Sequence, residues 1–308
     1  MKPTRRPPLP AEFRETSNLM GLYYIVHGLV LWLGSGWLAY AIYQHAAWPL
    51  WLRVVAMALP VISSGFGMFY MGSLGHEGFH RNMNRHQDVS MVMGMLASLG
   101  APLFLSVGVN IYHWRHHLHT NTPQDPDLQL YRGNRNLLAK MRVSLDTNLY
   151  CVRNVVRLIL ARDKLDRTFP LSAARMRFYA CLNVVMVAAA TTGYVALALA
   201  APTLFVFLVL APAIVAQLYW ALHPYIEHGD TADVEGNNAR NCTSPVLRFM
   251  LMGYTYHLCH HLYPSVQTHR LPALYRHLKA VGYVRDEDTT ETSLFGAIRI
   301  GATQVLRS

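Results

Sequence analysis

Three runs of sequence without a single Asp, Glu, Lys or Arg constrain this chain most. No charge appears between Glu15 and Arg53, between Arg53 and Glu77, or between Arg177 and Glu227. A charge at bilayer depth costs about 2.5–3.5 kcal/mol on insertion scales, so such gaps mark where a membrane is crossed. A spanning helix needs about 20 residues. The gaps therefore predict spans near residues 20–43, 54–75, 178–199 and 202–222, the last two separated at Ala200-Ala201-Pro202. The first run begins too far into the chain and lacks a small-residue cleavage site, so it reads as a helix rather than a signal peptide.

Paired spans return the chain to the side it left, which places residues 1–19, 76–177 and 223–308 in one compartment. These segments carry 4, 14 and 8 Lys+Arg, or 26 of the 27 in the chain. The positive-inside rule makes that compartment, with both termini, cytoplasmic. One further uncharged stretch, Val89–Trp114, is broken by Gly94, Gly100, Pro102 and Gly108 and would reverse the sidedness of everything after it. It is expected to form a re-entrant or interfacial hairpin near 89–112. Between Asn134 and Arg177 charges recur among apolar residues, including Leu137, Leu138, Met141, Leu145, Val152 and Val156, which predicts amphipathic helices on the membrane surface. The expectation is one all-α integral membrane domain over 1–308, with four transmembrane helices and a cytoplasmic helical cap over 113–177 and 223–308. No internal repeat or detachable second domain is visible.

Composition removes several function classes. The chain is 52% hydrophobic and 14% charged, with a mean hydropathy of +0.17, which disfavours a cytosolic globule. Its net charge of +10 fits an anionic membrane face better than nucleic acid, which needs a polar surface this chain barely supplies. Cys151, Cys181, Cys242 and Cys259 form no CxxC pair, so neither a disulfide framework nor a thiolate metal site is indicated. Cys259, between two histidines of a cluster, reads as packing.

The 16 histidines carry the chemistry. Three clusters stand out: His76-Glu-Gly-Phe-His80, His113-Trp-Arg-His116-His117 and His257-Leu-Cys-His260-His261. Positions i, i+3 and i+4 of a helix fall within about 100° of arc, so each cluster is expected to aim its imidazoles at one point. All three fall in the compartment deduced from charge. A fourth element, Glu227-His228-Gly229, follows the last span. His228 with the eight clustered histidines makes nine ligands, too many for one tetrahedral zinc and suited to two metals. His223 competes for the ninth place, with Pro224 between it and Glu227-His228. Ligating imidazoles need acceptors for their other ring nitrogen, and Glu77, Asp125, Asp127, Glu227 and Asp230, with His223, are candidates. His27, His45, His86, His119, His269 and His277 read as packing or interfacial anchors.

These motifs resemble those of the membrane fatty acid desaturase and hydroxylase superfamily. The similarity covers most of the chain and is carried by the three histidine boxes, by the stretch HWRHHLHTNTPQDPD with its Asp125-Pro126-Asp127 acidic turn, and by Tyr256–Pro264 (YHLCHHLYP) with Leu271-Pro272-Ala273-Leu274 beyond it. The resemblance implies two iron ions held almost wholly by histidine, reductive activation of O2 and attack on a C–H bond of a lipid chain. Desaturation of a fatty acyl chain is the expected outcome. A carotenoid ketolase or hydroxylase, or a lipid hydroxylase or decarboxylase, would use the same boxes. No iron–sulfur motif, b-type cytochrome or flavin module is visible, so electrons are expected from a separate ferredoxin, or b-type cytochrome with its reductase. A metal transporter with a histidine relay is disfavoured, because its ligands belong within the spans.

Overall fold

Helix starts in this protein coincide with capping side chains that satisfy the first free backbone N–H groups. The computed structural model describes residues 6–162, 165–232, 237–285 and 290–306. Helix α1 (Asn18–Gln44) begins where the Ser17 side chain accepts from the Met20 N–H, and it contains one π turn over Val30–Gly34. Helix α2 (Leu50–Phe79) runs through Pro60. Helices α3 (Gln87–Ser98) and α4 (Ser106–His119) follow, then α5 (Pro126–Tyr131) and α6 (Leu137–Ile159), the last capped by Asn136. Helix α7 (Ala173–Ala200) starts at the Ser172 cap, and α8 (Pro202–His228) restarts the chain with proline at its first position, where the missing N–H costs nothing. Short helices α9 (Pro245–Met250), α10 (His257–Leu262), α11 (Leu271–Ala280) and α12 (Leu294–Thr303) complete the cap. The all-helical expectation is interrupted only by a small parallel pair, β1 (Asn241–Cys242) against β2 (Thr290–Glu291).

Four helices, α1, α2, α7 and α8, are long and apolar enough to cross a membrane. Only 6% of the apolar window of α7 is buried by protein, against 50% for α2. Phe178, Val185, Val195 and Leu199 of α7 face outward, an apolar surface that only lipid can cover.

The uncharged stretch Val89–Trp114 falls on two helices, α3 and α4, of 12 and 14 residues. Neither reaches the length a crossing requires. Helix α3 lies against α2 at closest approach where Gly78 meets Gly94: a Cβ on either would come within 2.9 Å of the other's Cα. That contact seats the end of α2, and so the first histidine box, against the hairpin.

Where amphipathic helices were expected after Asn134, the structure has one 23-residue helix, α6, part of whose polarity is inverted. Lys140, Ser144, Thr147, Cys151 and Asn154 are buried together with Val155 and Leu158, while Leu138, Leu145, Leu149, Val152 and Val156 are exposed beside Arg142, Asp146, Arg153 and Arg157. Exposed leucines and valines interleaved with arginines suit a membrane surface, where apolar side chains meet lipid and charged ones its head groups. The Lys140 ammonium donates to the carbonyl oxygens of Gly301 (2.6 Å), Ala302 (3.2 Å) and Gln304 (2.8 Å) and lies 3.9 Å above the Tyr225 ring. It satisfies the open carbonyls at the end of α12 and ties that helix to α6 and α8.

Candidate metal centre

Helices α2 and α8 end at the same face of the bundle, and α4 and α10 close over them. Nine imidazoles converge there in two groups: His76, His80, His113, His117 and His260 form one, and His116, His228, His257 and His261 the other, with ligand atoms in each group lying within 4.8 Å of one another. Seven of the nine residues are buried, and His117 and His261 are half-buried.

The boxes do not each converge on one point, as helical arc alone suggested. They divide by a simple rule. Residues i and i+4 lie about 40° apart around a helix and share a group, whereas the i+3 residue lies about 100° from i+4 and reaches the other group. Thus His76 with His80, His113 with His117, and His257 with His261 stay together, while His116 and His260 cross over. The crossing interlocks α4 and α10: each supplies both groups.

The ring nitrogens turned away from the groups show which lone pairs are free. In the four-imidazole group three of the four Nδ1 atoms are hydrogen-bonded, and the fourth, on His257, is not. His116 Nδ1 donates to Asp125 Oδ1 at 2.9 Å and His228 Nδ1 to the Asn238 carbonyl at 2.9 Å. His257 Nδ1 lies 3.2 Å from Glu227 Oε1. His261 Nδ1 lies 3.2 Å from Thr120 Oγ1, whose own proton goes to the His116 carbonyl. With Nδ1 donating, the Nε2 atoms of His228 and His261 present lone pairs. The Nε2 atoms of the group approach one another at 2.9 Å (His228–His257), 3.0 Å (His257–His261) and 3.2 Å (His116–His261). Ring nitrogens this close either share a proton or repel, and a cation at their centre replaces both with ligation. The residues therefore fit a metal ion.

In the five-imidazole group His76 Nδ1 is held by Glu77 Oε1 at 2.9 Å, and its Nε2 faces His113 Nε2 at 2.7 Å. His117 Nε2 and His260 Nε2 are 3.1 Å apart. The buried His80 Nε2 has no hydrogen-bond partner, as expected of an atom reserved for a metal. Glu77 is fully buried and also accepts from Asn82 Nδ2 at 2.8 Å.

Titration behaviour sets His116 apart from the other rings. Burial and mutual repulsion push His113, His117, His257, His260 and His261 well below the ordinary imidazole range, and burial alone takes His80 to about 3. These rings are neutral and ready to ligate. Burial opposes the charge on His116 as well, but the Asp125 and Asp127 carboxylates outweigh it and raise His116 to about 9. A metal bound there displaces a proton. Asp127, 3.4 Å from His116 Nδ1, is raised by burial to about 6.

The remaining sequence candidates divide. Asp125 is the hub of the acidic turn: Oδ1 also accepts from the Asp127 N–H (2.9 Å) and Oδ2 from the Asn121 N–H (2.7 Å). His223 belongs to neither group. Its Nε2 lies 2.9 Å from Glu227 Oε1, and its ring stacks on Tyr254 at 5.8 Å. Asp230, expected among the imidazole acceptors, lies exposed on the turn after α8, and its charge acts on Arg240. Thr120, Asn82 and the Asn238 carbonyl hold the site together without having been singled out in sequence. A backbone carbonyl carries no side-chain signal, and Thr120 and Asn82 look like ordinary polar residues until the fold places them. Cys259 is buried between Leu258 and Leu262 in an apolar cluster, and its N–H donates to Asn241 Oδ1.

Four membrane-length helices carrying two buried groups of imidazoles at one end define a membrane protein with a histidine-rich dimetal site. The fatty acid desaturase family model matches residues 46–288, and the chain belongs to that family. Membership makes it an integral membrane oxidoreductase of the lipid desaturase or oxygenase type. No individually curated protein matches the chain.

Proposed function

We propose that this protein is an O2-dependent diiron enzyme that oxidises C–H bonds in the hydrocarbon chain of a lipid, with desaturation of a fatty acyl chain as its reaction. The observation that carries the reading is the pair of buried imidazole groups, five and four, with ring nitrogens facing inward at the end of the spans. Two irons bound there supply reductive activation of O2 and an oxidant strong enough to remove hydrogen from an unactivated methylene. The nine histidines hold the metals. Asp125, Glu77, Thr120 and the Asn238 carbonyl fix the tautomer and angle of four of the rings, so that ligation needs no reorientation. Burial of the groups keeps bulk water from the reacting carbon.

A site at the ends of α2 and α8 lies close to both the bilayer, which dissolves the substrate, and the aqueous face from which electrons come. The electron donor is a separate protein, a ferredoxin or a b-type cytochrome with its reductase. With 26 of 27 basic residues on the side that carries the histidines, the site and both termini face the cytoplasm. Mass spectrometry of lipids and pigments from cells expressing the protein, compared with cells expressing His260→Ala, tests the reading. New double bonds that vanish in the variant support it; identical lipid and pigment profiles at matched expression overturn it.

A further inference from the structure

The cavity beside the imidazole groups has the wrong lining for a plain alkyl chain. Its wall includes His76, His113, His116 and His257, so it is where a reacting segment must lie. Its volume is about 100 Å³, smaller than the roughly 150 Å³ engineered cavity that just holds benzene. It therefore takes a few carbons of a lipid and no more. Any polar group it recognises lies within a few carbons of the carbon attacked.

Among the described residues, Val109 is the one branched aliphatic side chain in the wall, and no Leu, Ile or Met lines it. The buried core around α2 shows the contrast, being built from Met68, Met71 and Leu74 with Phe69 and Tyr70. One part of the wall is aromatic, with Phe104 stacked on Trp220 at 5.6 Å. Elsewhere the wall is polar, and five buried polar atoms of its residues make no hydrogen bond; His223 Nε2, Glu227 Oε1 and His257 Nδ1 face one another at ion-pair distance, which leaves Ser106 Oγ and Asp127 Oδ1 with neither. Ser106 is 1% exposed. It is also close to the ligands, since a Cβ on Gly75, the residue before His76, would lie 2.5 Å from the Ser106 Cβ. Leaving such atoms unsatisfied costs about 1–3 kcal/mol each, a cost a substrate removes by bonding to them. No Lys or Arg lines the cavity, while Asp127 and Glu227 do. The group that matches a hydroxyl donor at Ser106 and a carboxylate acceptor at Asp127 is a neutral one that can both accept and donate.

We infer that the substrate is a hydroxylated lipid, with a neutral hydroxyl a few carbons from the site of oxidation. The inference rests on the reading of the site as one that oxidises lipid chains. The experiment uses full-length protein loaded with redox-inert zinc in lipid nanodiscs and measures equilibrium binding of radiolabelled methyl hexadecanoate against its monohydroxylated isomers, with the hydroxyl near either end or at mid-chain. At least one hydroxylated isomer is expected to bind about tenfold more tightly than the parent ester. Ser106→Ala is expected to reduce that preference severalfold without weakening the parent ester. Equal binding of the parent and every isomer, or a preference that survives this substitution, overturns the inference. Failure of all the esters to bind, including the parent, counts instead against the lipid-oxidising reading itself.

Discussion

The two imidazole groups differ in how their outward nitrogens are held. Three of the four rings of the smaller group have an Nδ1 acceptor, from Asp125, Asn238 and Thr120, and the fourth, His257, has the Glu227 carboxylate 3.2 Å away. The larger group shows one carboxylate, Glu77, at His76. Five rings provide redundancy in number, whereas four rings depend on orientation. The difference teaches that one dimetal site can be stabilised in two ways, by surplus ligands or by a rigid frame, and that the two halves should fail differently.

The largest expected effect separates surplus from frame. His228→Ala leaves three imidazoles in the smaller group and should take metal content from about two ions per chain to about one, with turnover abolished. His80→Ala leaves four rings in the larger group and should retain more metal while still abolishing turnover. Metal analysis and product formation at matched expression measure both. Equal metal loss in the two variants would erase the distinction. His223→Ala, outside both groups, should keep both metals.

The next largest effect removes the frame. Asp125→Ala strips His116 Nδ1 and the Asn121 N–H of their acceptor and should weaken metal binding by about 10–100-fold in the smaller group alone. Glu77→Gln cannot accept from both His76 and Asn82 and should weaken the larger group, by about tenfold. Competition with a chromophoric chelator resolves the two affinities, and a loss shared by both metals in either variant would show the halves to be one unit.

Stability of the metal-free protein against pH sets His116 apart from the other eight rings. Rings of both groups titrate far below the unfolded value of about 6.5, His80 and His228 near 3. The folded state then binds fewer protons than the unfolded one, and stability falls as pH drops below about 6.5. His116 has the opposite sign: raised to about 9, it contributes stability that is complete below about 6.5 and is lost as pH rises through 9. Thermal unfolding from pH 5 to about 9.5 should show both slopes, and Asp125→Asn should flatten the alkaline one only.

The smallest effect is expected at Thr120→Val, which removes the weakest acceptor, 3.2 Å from His261 Nδ1. It should lower metal affinity less than about tenfold, and a loss as large as that of Asp125→Ala would show that orientation of His261 governs the smaller group.

The four membrane helices were legible because bilayer insertion tests each residue nearly independently: charge in a span is costly wherever the chain goes next. The boxes were legible because helical spacing is local, and the acidic turn at Asp125-Pro126-Asp127 because it lies within nine residues of the imidazole it holds. The partial inversion of α6 was half visible. Its apolar stripe could be read from sequence, but that some of its polar residues pack inward, with Lys140 tied to the end of α12, depends on residues about 160 positions away.

What the sequence determined by itself is therefore the set of spans and the identity of the clustered imidazoles, both consequences of local composition and period. What the tertiary structure decided is the division of the clusters: that His116 parts from His113 and His117, that His260 parts from His257 and His261, and that His228 rather than His223 joins a group. The reason is geometric. A helix fixes the angle between its own side chains, but which partner stands at each angle depends on how α2, α4, α8 and α10 are packed, and that packing rests on contacts such as Gly78 on Gly94 whose members are individually unremarkable in the sequence.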